Sequence, residues 1–523
     1  MHYPDTSHLL ARNAPLIGER WAADASAGTR EHIDPNRAEA IAEVRIAGAR
    51  EVDEAVAVAA RAQQAWMALS PPRRREIMQA WLQRIRDADS DLRLLAALES
   101  GIPVGVDSSP LAHAWIDYYA GWTDRIEGAT TEGSPTPGFN YTRKEPYGVV
   151  GVIIPWNGPM VAIAMTCAPA LAAGNAVVLK PPSNTPFVAL KLGELALEAG
   201  FPPGLFNVLP GDAEAGQALA AHAGVGKVCF TGGGEIAQHV LKAAATTLKP
   251  VFLELGGKSP NLLFDDADLD NALPVSLFSC MTLAGQGCVL PTRLLVQRGV
   301  YDQVIERLQA MQPMLVTGLA YDPQNIVGPV ISDAARTRIL GMIERARATG
   351  EGRVLFGGRK LEGENLPGYF VEPTVFADVA PSASIAREEV FRPGADSDPV
   401  RYRERSHRHR QRQLLRAGRL CANPRPGAWP ARGHASAGRL HHRQQLPDDE
   451  PERTVWRLQA QRLWPPWRAR GPGGISANQE HLRGAAALRQ RAWKRLTSSS
   501  SVPVRPVVSW PNASVPIRAP ACC

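Results

Sequence analysis

The sequence predicts an α/β protein with a mostly parallel sheet, and three observations support this fold class. Residues 147–155 (YGVVGVIIP) form a continuous β-branched run, which is typical of a strand buried on both faces. Similar short apolar runs follow at residues 175–180, 205–209 and 227–231. Helical segments separate these runs, and strands that alternate with helices indicate parallel pairing. Ligands of such sheets bind at the carboxyl ends of the strands.

Two helices are predicted ahead of the first of these strands. Residues 52–66 carry apolar side chains at helical spacing. The sequence Ser70-Pro-Pro then combines an N-cap residue with prolines and begins a second helix, which we expect to reach Trp81.

Length, leader and cysteine content bound the class of protein. A chain of 523 residues is long for one core and suggests two or more domains. The sequence does not open on a charged and then apolar leader, and no apolar run is long enough to span a bilayer. The seven cysteines have no paired spacing, as in a reducing compartment. We therefore expect a cytoplasmic protein without a membrane partner.

The net charge of +7 hides a sharp division after residue 391. Residues 1–391 contain 33 Lys+Arg and 43 Asp+Glu, whereas residues 392–523 contain 25 and 8. The second part has 24 arginines and one lysine, Lys494. The two parts are therefore interpreted separately.

Residues 282–292 (TLAGQGCVLPT) place a lone cysteine, Cys288, on a glycine-flanked turn after an apolar run. The two glycines allow a tight turn and a close approach to a ligand, which would expose the thiol. A cysteine is a nucleophile as its thiolate, so this interpretation requires a base and an oxyanion site elsewhere. The segment alone leaves open the alternative of a small buried structural cysteine.

Polar turns follow the predicted strands. They are residues 155–159 (PWNGP), 180–183 (KPPS), 211–216 (GDAEAG) and 231–234 (TGGG). Glycine-rich turns that begin helices bind phosphate through free N–H groups. Any one of them alone is more simply an ordinary strand–helix connection, because G-x-G-x-x-G is absent.

Residues 253–257 (LELGG) place one carboxylate, Glu254, at the end of an apolar strand. A partly desolvated carboxylate with a raised pKa suits a general base near neutral pH. The alternative is a glutamate that points outward from an edge strand.

These segments together resemble the aldehyde dehydrogenase superfamily. The resemblance covers Leu16 to Phe391 and depends on six motifs in order: PWN at 155–157, KP at 180–181, FTG at 230–232, LELGG at 253–257, GQGC at 285–288 and EEVF at 388–391. It implies oxidation of a small-molecule aldehyde with NAD or NADP, no metal, and a homodimer or homotetramer.

The resemblance also implies an organisation into domains. A Rossmann-like, parallel-sheet cofactor domain would comprise residues 1–120 and 143–253, and an α/β catalytic domain would comprise residues 254–391. Residues 121–142 would form an oligomerisation hairpin between them.

Three catalytic residues follow from the same resemblance. Cys288 would attack the aldehyde carbonyl, Asn157 and the backbone N–H of Cys288 would hold the oxyanion, and Glu254 would activate the water that hydrolyses the thioester. Lys180 would contact the adenosine ribose and Glu389 the nicotinamide ribose. The full cofactor-binding set is Trp156, Lys180, Ser183, Gly211, Gly216, Thr231, Gly232, Gly233, Leu255, Glu389 and Phe391.

Departures from the family pattern concern the cofactor. NAD-specific members commonly have a glutamate three residues after the lysine, whereas this chain has Ser183 and lacks that charge against a 2′-phosphate. In the pyrophosphate turn, Gly233 replaces a usual serine and Ala237 a usual glycine. We therefore expect NADP to be tolerated beside NAD.

The resemblance ends at Phe391, and the genetic code suggests why. Residues 392–404 can be encoded so that reading one base later gives GPVLTVIPYDTE, which continues the family pattern. Residues 444–466 likewise allow a family-like C-terminal segment in that frame. We predict one extra base after the Phe391 codon, an out-of-frame and largely disordered tail at residues 392–523, and an impaired chain.

Two alternatives stay open at this point. One is a CoA-acylating semialdehyde dehydrogenase, against which the presence of Glu254 argues. The other is a non-catalytic protein whose arginine-rich tail binds nucleic acid. The shifted-frame matches argue against such a tail, so no nucleic-acid partner is expected.

Overall fold

The computed structural model describes residue 4, residues 6–106, 108–133, 135–136, 138–363 and 366–391, and the backbone of two strands beyond them. The strands up to residue 255 are β1 (Leu16–Ile17), β2 (Arg20–Trp21), β3 (Thr29–Asp34), β4 (Glu39–Arg45), β5 (Thr130–Glu132), β6 (Phe139–Tyr141), β7 (Val149–Ile153), β8 (Ala176–Lys180), β9 (Phe206–Val208), β10 (Lys227–Gly232) and β11 (Val251–Leu255). The helices of this part are α1 (Ala49–Ala68), α2 (Pro71–Asp87), α3 (Asp89–Ser100), α4 (Ser109–Ala120), α5 (Pro159–Ala172), α6 (Phe187–Glu198), α7 (Ala213–Ala221) and α8 (Gly234–Ala245).

The first sheet contains the four predicted strands as neighbours. Its order is β11-β10-β7-β8-β9-β1-β2, and the pairs from β11 to β9 are parallel. Every residue of β7 and of β8 is buried, because helices cover both faces of these central strands. The α/β prediction with a mostly parallel sheet is confirmed.

The two predicted N-terminal helices are present as α1 and α2. The Ser70 hydroxyl accepts a hydrogen bond from the Arg73 N–H at 3.4 Å, so it is the N-cap of α2. This helix continues six residues past Trp81, because Leu82 and Ile85 extend its buried face. The indole N–H of Trp81 donates to the Leu192 carbonyl at 3.1 Å, which ties α2 to α6.

A second sheet follows residue 255. Its strands are β12 (Pro260–Leu263), β13 (Arg293–Gln297), β14 (Arg353–Phe356), β15 (Thr374–Ala377), β16 (Gly394–Val400) and β17 (Leu420–Cys421), and its helices are α9 (Leu269–Met281), α10 (Tyr301–Ala310), α11 (Asp333–Ala348) and α12 (Ser384–Arg387). The order is β14-β15-β16-β13-β12-β17, with β14 antiparallel to β15 and the other pairs parallel.

Residues beyond Phe391 enter this sheet at two places. The strand β16 lies between β15 and β13, and β17 pairs with the outer side of β12. The prediction of a largely disordered tail otherwise falls on residues outside the described part of the chain. Among the described residues, no helix is both long and apolar enough to cross a bilayer.

Candidate active site

Four adjacent parallel strands bring the predicted site residues to one edge of the first sheet. Lys180 at the end of β8 pairs in register with Ile153 of β7, and Ile153 pairs with Phe230 of β10. The next residue of β10, Thr231, pairs with Glu254 of β11. The carboxyl ends of these strands are therefore aligned, which is where parallel sheets bind ligands.

The loop after β7 connects this edge to the cysteine segment. The Asn157 side-chain N–H donates to the backbone carbonyl of Gln286 at 2.6 Å, across 129 residues of sequence. The backbone carbonyl of Trp156 accepts from the Ser100 hydroxyl at 2.8 Å, which fixes the preceding residue. The structure thus places the Asn157 amide two residues from Cys288.

The turn before Cys288 is strained and anchored. Leu283 and Ala284 have positive φ values of 55° and 51°, which L residues rarely adopt. Gly285 has φ 70°, and a Cβ on Gly287 would lie 2.8 Å from Leu290, so both glycines are needed. The glycine prediction for this turn agrees with that geometry.

The side chain of Gln286 holds the turn in place. Its amide oxygen accepts from the Ile331 N–H at 3.0 Å, and its amide nitrogen donates to the Leu283 carbonyl at 3.2 Å. Because Gln286 is buried, these bonds are shielded from water and the turn cannot relax cheaply. The sequence motif contained Gln286, but residue type alone did not reveal this anchoring role.

Cys288 differs from the other cysteines whose side chains the structure describes. Cys167, Cys229 and Cys280 are buried, whereas Cys288 is partly exposed. Burial raises the pKa of the Cys288 thiol, and the negative charges of Glu389 and Glu254 raise it further, while its own backbone N–H and that of Val289 oppose the shift. The thiol therefore lies within electrostatic reach of two carboxylates.

Glu254 lies on an edge strand and is also partly desolvated, so each of the two interpretations of its sequence is partly met. Its strand β11 is the edge strand of the first sheet, yet the side chain is half-buried. Burial raises its pKa above the ordinary value. A carboxylate with a raised pKa close to a thiol is suited to proton transfer near neutral pH.

Glu389 packs against the backbone that follows Glu254. Its carboxylate accepts from the Gly257 N–H at 3.3 Å, and a Cβ on Gly256 would lie 1.9 Å from it, so a larger residue there would displace the carboxylate. Burial raises the pKa of Glu389, opposed by the Gly257 N–H and by the charges of Lys258 and Arg338. Phe391 meets the Trp156 ring edge-to-face, with centroids 5.7 Å apart.

A second group of predicted residues surrounds Lys180. Its ammonium donates to the carbonyls of Gly211 at 2.7 Å and Pro181 at 3.3 Å. Burial lowers its pKa to about 8, and the charge of Asp212 opposes that shift. A Cβ on Gly216 would lie 3.7 Å from the Lys180 side chain, in ordinary contact.

Two residues of this group were missed from the sequence. The Ser183 hydroxyl donates to the Asp212 carboxylate at 2.5 Å, and the Arg30 guanidinium contacts the other carboxylate oxygen at 2.7 Å. Asp212 directly follows the predicted Gly211, so the sequence could have indicated it as a site residue. Arg30 lies 182 residues away on β3, and nothing local in the sequence indicated the contact.

The turn from Thr231 to Gly234 leaves room for a ligand. Within the described chain, the buried Thr231 hydroxyl has no hydrogen-bond partner. A Cβ on Gly233 or Gly234 would meet nothing within 4 Å, so packing does not fill this space. Gly232 pairs with the half-buried Leu255 at the same edge. Free N–H groups at the start of α8 and an unpartnered hydroxyl suit the phosphates of a dinucleotide.

Comparison with known proteins places the chain among enzymes of one kind. The model of the "Aldehyde dehydrogenase family" matches residues 21–395. The "Putative aldehyde dehydrogenase DhaS" of Bacillus subtilis (strain 168) is 38% identical over 385 residues, which is 72% of this chain and 76% of that protein.

Solved structures agree. PnpE from Pseudomonas sp. WBC-3 is 34% identical with a TM-score of 0.75 and covers 79% of this chain and 85% of its own. The NAD+ complex of an aldehyde dehydrogenase from Bacillus cereus is 32% identical with a TM-score of 0.76 and covers 81% and 87%.

Proposed function

The chain belongs to the aldehyde dehydrogenase family, and from that premise we propose that it oxidises an aldehyde to a carboxylic acid with NAD or NADP. The observation that carries the proposal is the meeting of Asn157 with the turn of Cys288, at 2.6 Å. It joins a candidate nucleophile to a candidate oxyanion donor. The matched relatives give no support to the CoA-acylating or the nucleic-acid-binding alternative.

The proposed nucleophile is Cys288. The thiolate attacks the aldehyde carbonyl, and the developing negative charge on oxygen requires donors. The Asn157 amide nitrogen carries two N–H groups, of which one is held by the Gln286 carbonyl; the other has no partner among the described residues and would serve the oxyanion. Together with the Cys288 backbone N–H, it forms the proposed oxyanion site.

Glu254 is the proposed general base. Its raised pKa lets it accept a proton near neutral pH, and its charge reaches Cys288. It takes a proton from the water that attacks the Cys288 thioester, which releases the carboxylic acid and restores the thiol. When bound, the nicotinamide supplies the acceptor for the hydride that leaves the thiohemiacetal.

The cofactor is proposed to lie along the aligned strand ends. The open turn at Thr231, Gly232 and Gly233 would hold the pyrophosphate, with Lys180 and Ser183 at the adenosine ribose. Glu389 would bind the nicotinamide ribose, beside Gly256 and Gly257. The remaining contacts are assigned to Trp156, Gly211, Gly216, Leu255 and Phe391. The unpartnered Thr231 hydroxyl and the empty space at Gly233 support this placement.

The organisation of the chain is proposed along the same lines. The cofactor domain comprises residues 1–120 and 143–253, and the catalytic domain begins at residue 254. The hairpin of β5 and β6 would mediate a homodimer or homotetramer. In its support, the two strands pair only with each other among the described strands, and Phe139 and Tyr141 are exposed by 83% and 65%. A cytoplasmic location is proposed because the four cysteines whose side chains the structure describes are free.

Aldehyde-dependent formation of reduced cofactor tests the proposed function. The chain as given and a version with one base deleted after the Phe391 codon are assayed with a panel of aldehydes and either dinucleotide. We expect the corrected chain to reduce the cofactor and release the acid. If a soluble, folded corrected chain reduces neither dinucleotide with any aldehyde, the proposal is wrong.

A further inference from the structure

Asp212 places a carboxylate next to Ser183 and within electrostatic range of Lys180. The sequence motif alone, with Ser183 in place of a glutamate, offered no negative charge there. The Ser183 hydroxyl hydrogen points to Asp212 at 2.5 Å, so the serine presents a lone pair rather than a hydrogen to any ligand there. Ser183 is buried, whereas the Asp212 side chain is 42% exposed. The carboxylate therefore lies at the mouth of this group.

The hydrogen-bond inventory of this group favours a hydroxyl over a phosphate. Two of the three ammonium hydrogens of Lys180 are used by the carbonyls of Gly211 and Pro181, which leaves one without a partner among the described residues. The Asp212 carboxylate and the Ser183 oxygen are acceptors. A ribose hydroxyl can donate to them, whereas a phosphate at neutral pH offers only acceptors and negative charge.

We infer that Asp212 is a specificity-determining residue that favours NAD over NADP. The inference rests on the proposed placement of the adenosine ribose beside Lys180. Asp212 repels a 2′-phosphate and accepts a hydrogen bond from a 2′-hydroxyl, as carboxylates do in other dinucleotide sites. A wild-type preference for NAD thus replaces the tolerance of NADP that Ser183 alone suggested.

Arg30 moderates this selection. Its guanidinium contacts Asp212 at 2.7 Å, and the Arg30 side chain is 55% exposed, so the ion pair is screened by water. The pair neutralises part of the carboxylate charge that faces a ligand. Removal of Asp212 frees the guanidinium to bind a phosphate, and removal of Arg30 leaves the carboxylate unopposed.

Two nucleotide fragments test the inference without any catalytic step. Titration calorimetry on the full chain compares 5′-AMP with 2′,5′-ADP, which differ at the 2′ position by the phosphate alone. The variants are Asp212→Asn and Arg30→Gln. The matched control is Glu214→Gln, which removes a carboxylate two residues away that accepts from the Ala49 N–H at 3.0 Å.

The inference is decided by the ratio of the dissociation constants of 2′,5′-ADP and 5′-AMP. We expect the wild type to bind 5′-AMP more tightly, Asp212→Asn to narrow the ratio by about tenfold, as for one charge contact at a partly exposed site, and Arg30→Gln to widen it. Glu214→Gln should leave it unchanged.

Two other outcomes overturn the inference in distinguishable ways. If 5′-AMP binds but Asp212→Asn and Glu214→Gln change the ratio equally, Asp212 does not select the cofactor, while the proposed cofactor site stands. If neither fragment binds the folded wild type, the proposed cofactor site is itself wrong, and the inference falls with it.

Discussion

The two sheets differ in how well the sequence of each central strand suits its position. In the first sheet, β7 and β8 read VVGVI and AVVLK, and both are buried along their whole length. In the second sheet, β16 lies between β15 and β13 but reads GADSDPV. Gly, Asp and Pro are depleted in strands, and charged residues are costly in the middle of a covered sheet.

A shift of the reading frame by one base would remove this mismatch. Residues 394–398 are Gly-Ala-Asp-Ser-Asp, and one permitted encoding of them, read one base later, gives Val-Leu-Thr-Val-Ile. The second set is β-branched and apolar, like the strands of the first sheet. In that encoding position 399 is proline in both frames, so it does not distinguish them. Flanking strands can define where a strand belongs even when the residues there do not favour it.

The proposed active site draws on both sheets. The candidate cofactor residues Lys180 and Thr231 and the candidate oxyanion residue Asn157 lie at the carboxyl ends of the first sheet. Cys288 lies just before β13, the direct neighbour of β16. Nucleotide binding should therefore depend mainly on the first sheet, whereas aldehyde oxidation needs both.

The largest expected effect comes from restoring the frame after Phe391. The corrected chain should oligomerise and oxidise aldehydes, whereas the chain as given should be partly unfolded and close to inactive while still binding 5′-AMP. A smaller variant sharpens the comparison: Val-Leu-Thr-Val-Ile at 394–398 of the given chain should raise the thermal transition by roughly 10 °C, because apolar side chains replace polar ones.

The control for this variant shuffles the original five residues of positions 394–398, which keeps their polarity, so no gain is expected. Calorimetry, size-exclusion profiles and cofactor reduction provide the measurements. If the uncorrected chain is a compact, active oligomer, the frameshift proposal is wrong.

The same contrast explains what the sequence could predict. Buried parallel strands carry continuous β-branched runs. The strands β7 to β10 and their carboxyl ends could therefore be predicted from the sequence. The short strands β1 and β2 and the hairpin of β3 and β4 were not predicted, because TREHID in β3 has no clean alternation. Arg30 reaches Asp212 only because the tertiary structure places that hairpin beside it. No local sequence pattern encodes this contact.

The second prediction concerns the nucleophile of the corrected chain. Cys288→Ala should lower aldehyde turnover by roughly 10⁴-fold or more, because no other described thiol is exposed at this turn. Dinucleotide binding should change little. The control, Cys280→Ala, removes a buried thiol at the end of α9 and should retain activity. Substantial turnover by Cys288→Ala would exclude the thiol from the mechanism.

The third prediction concerns the base. Glu254→Gln keeps the nucleophile but removes the proton acceptor, so one burst of reduced cofactor should survive while steady-state turnover falls by roughly 10²-fold or more. Rapid-mixing absorbance separates the two phases. An unchanged steady-state rate would show that another group activates the water.

The smallest effect is expected in the reactivity of the Cys288 thiol without cofactor, where Glu389→Gln should shift a pH profile. The negative charge of Glu389 raises the pKa of the Cys288 thiol. Glu389→Gln removes that charge, so the thiolate should form at lower pH and the pH profile of alkylation by iodoacetamide should move down. The matched control is Glu388→Gln, an exposed neighbour whose carboxylate lies 3.7 Å from Arg345. Cys288 lies beside the second sheet and Glu389 follows α12. A shift seen with Glu389→Gln alone would therefore show that the region around these two residues is folded in the given chain. If the profile stays fixed, or moves equally in both variants, Glu389 does not act on the thiol.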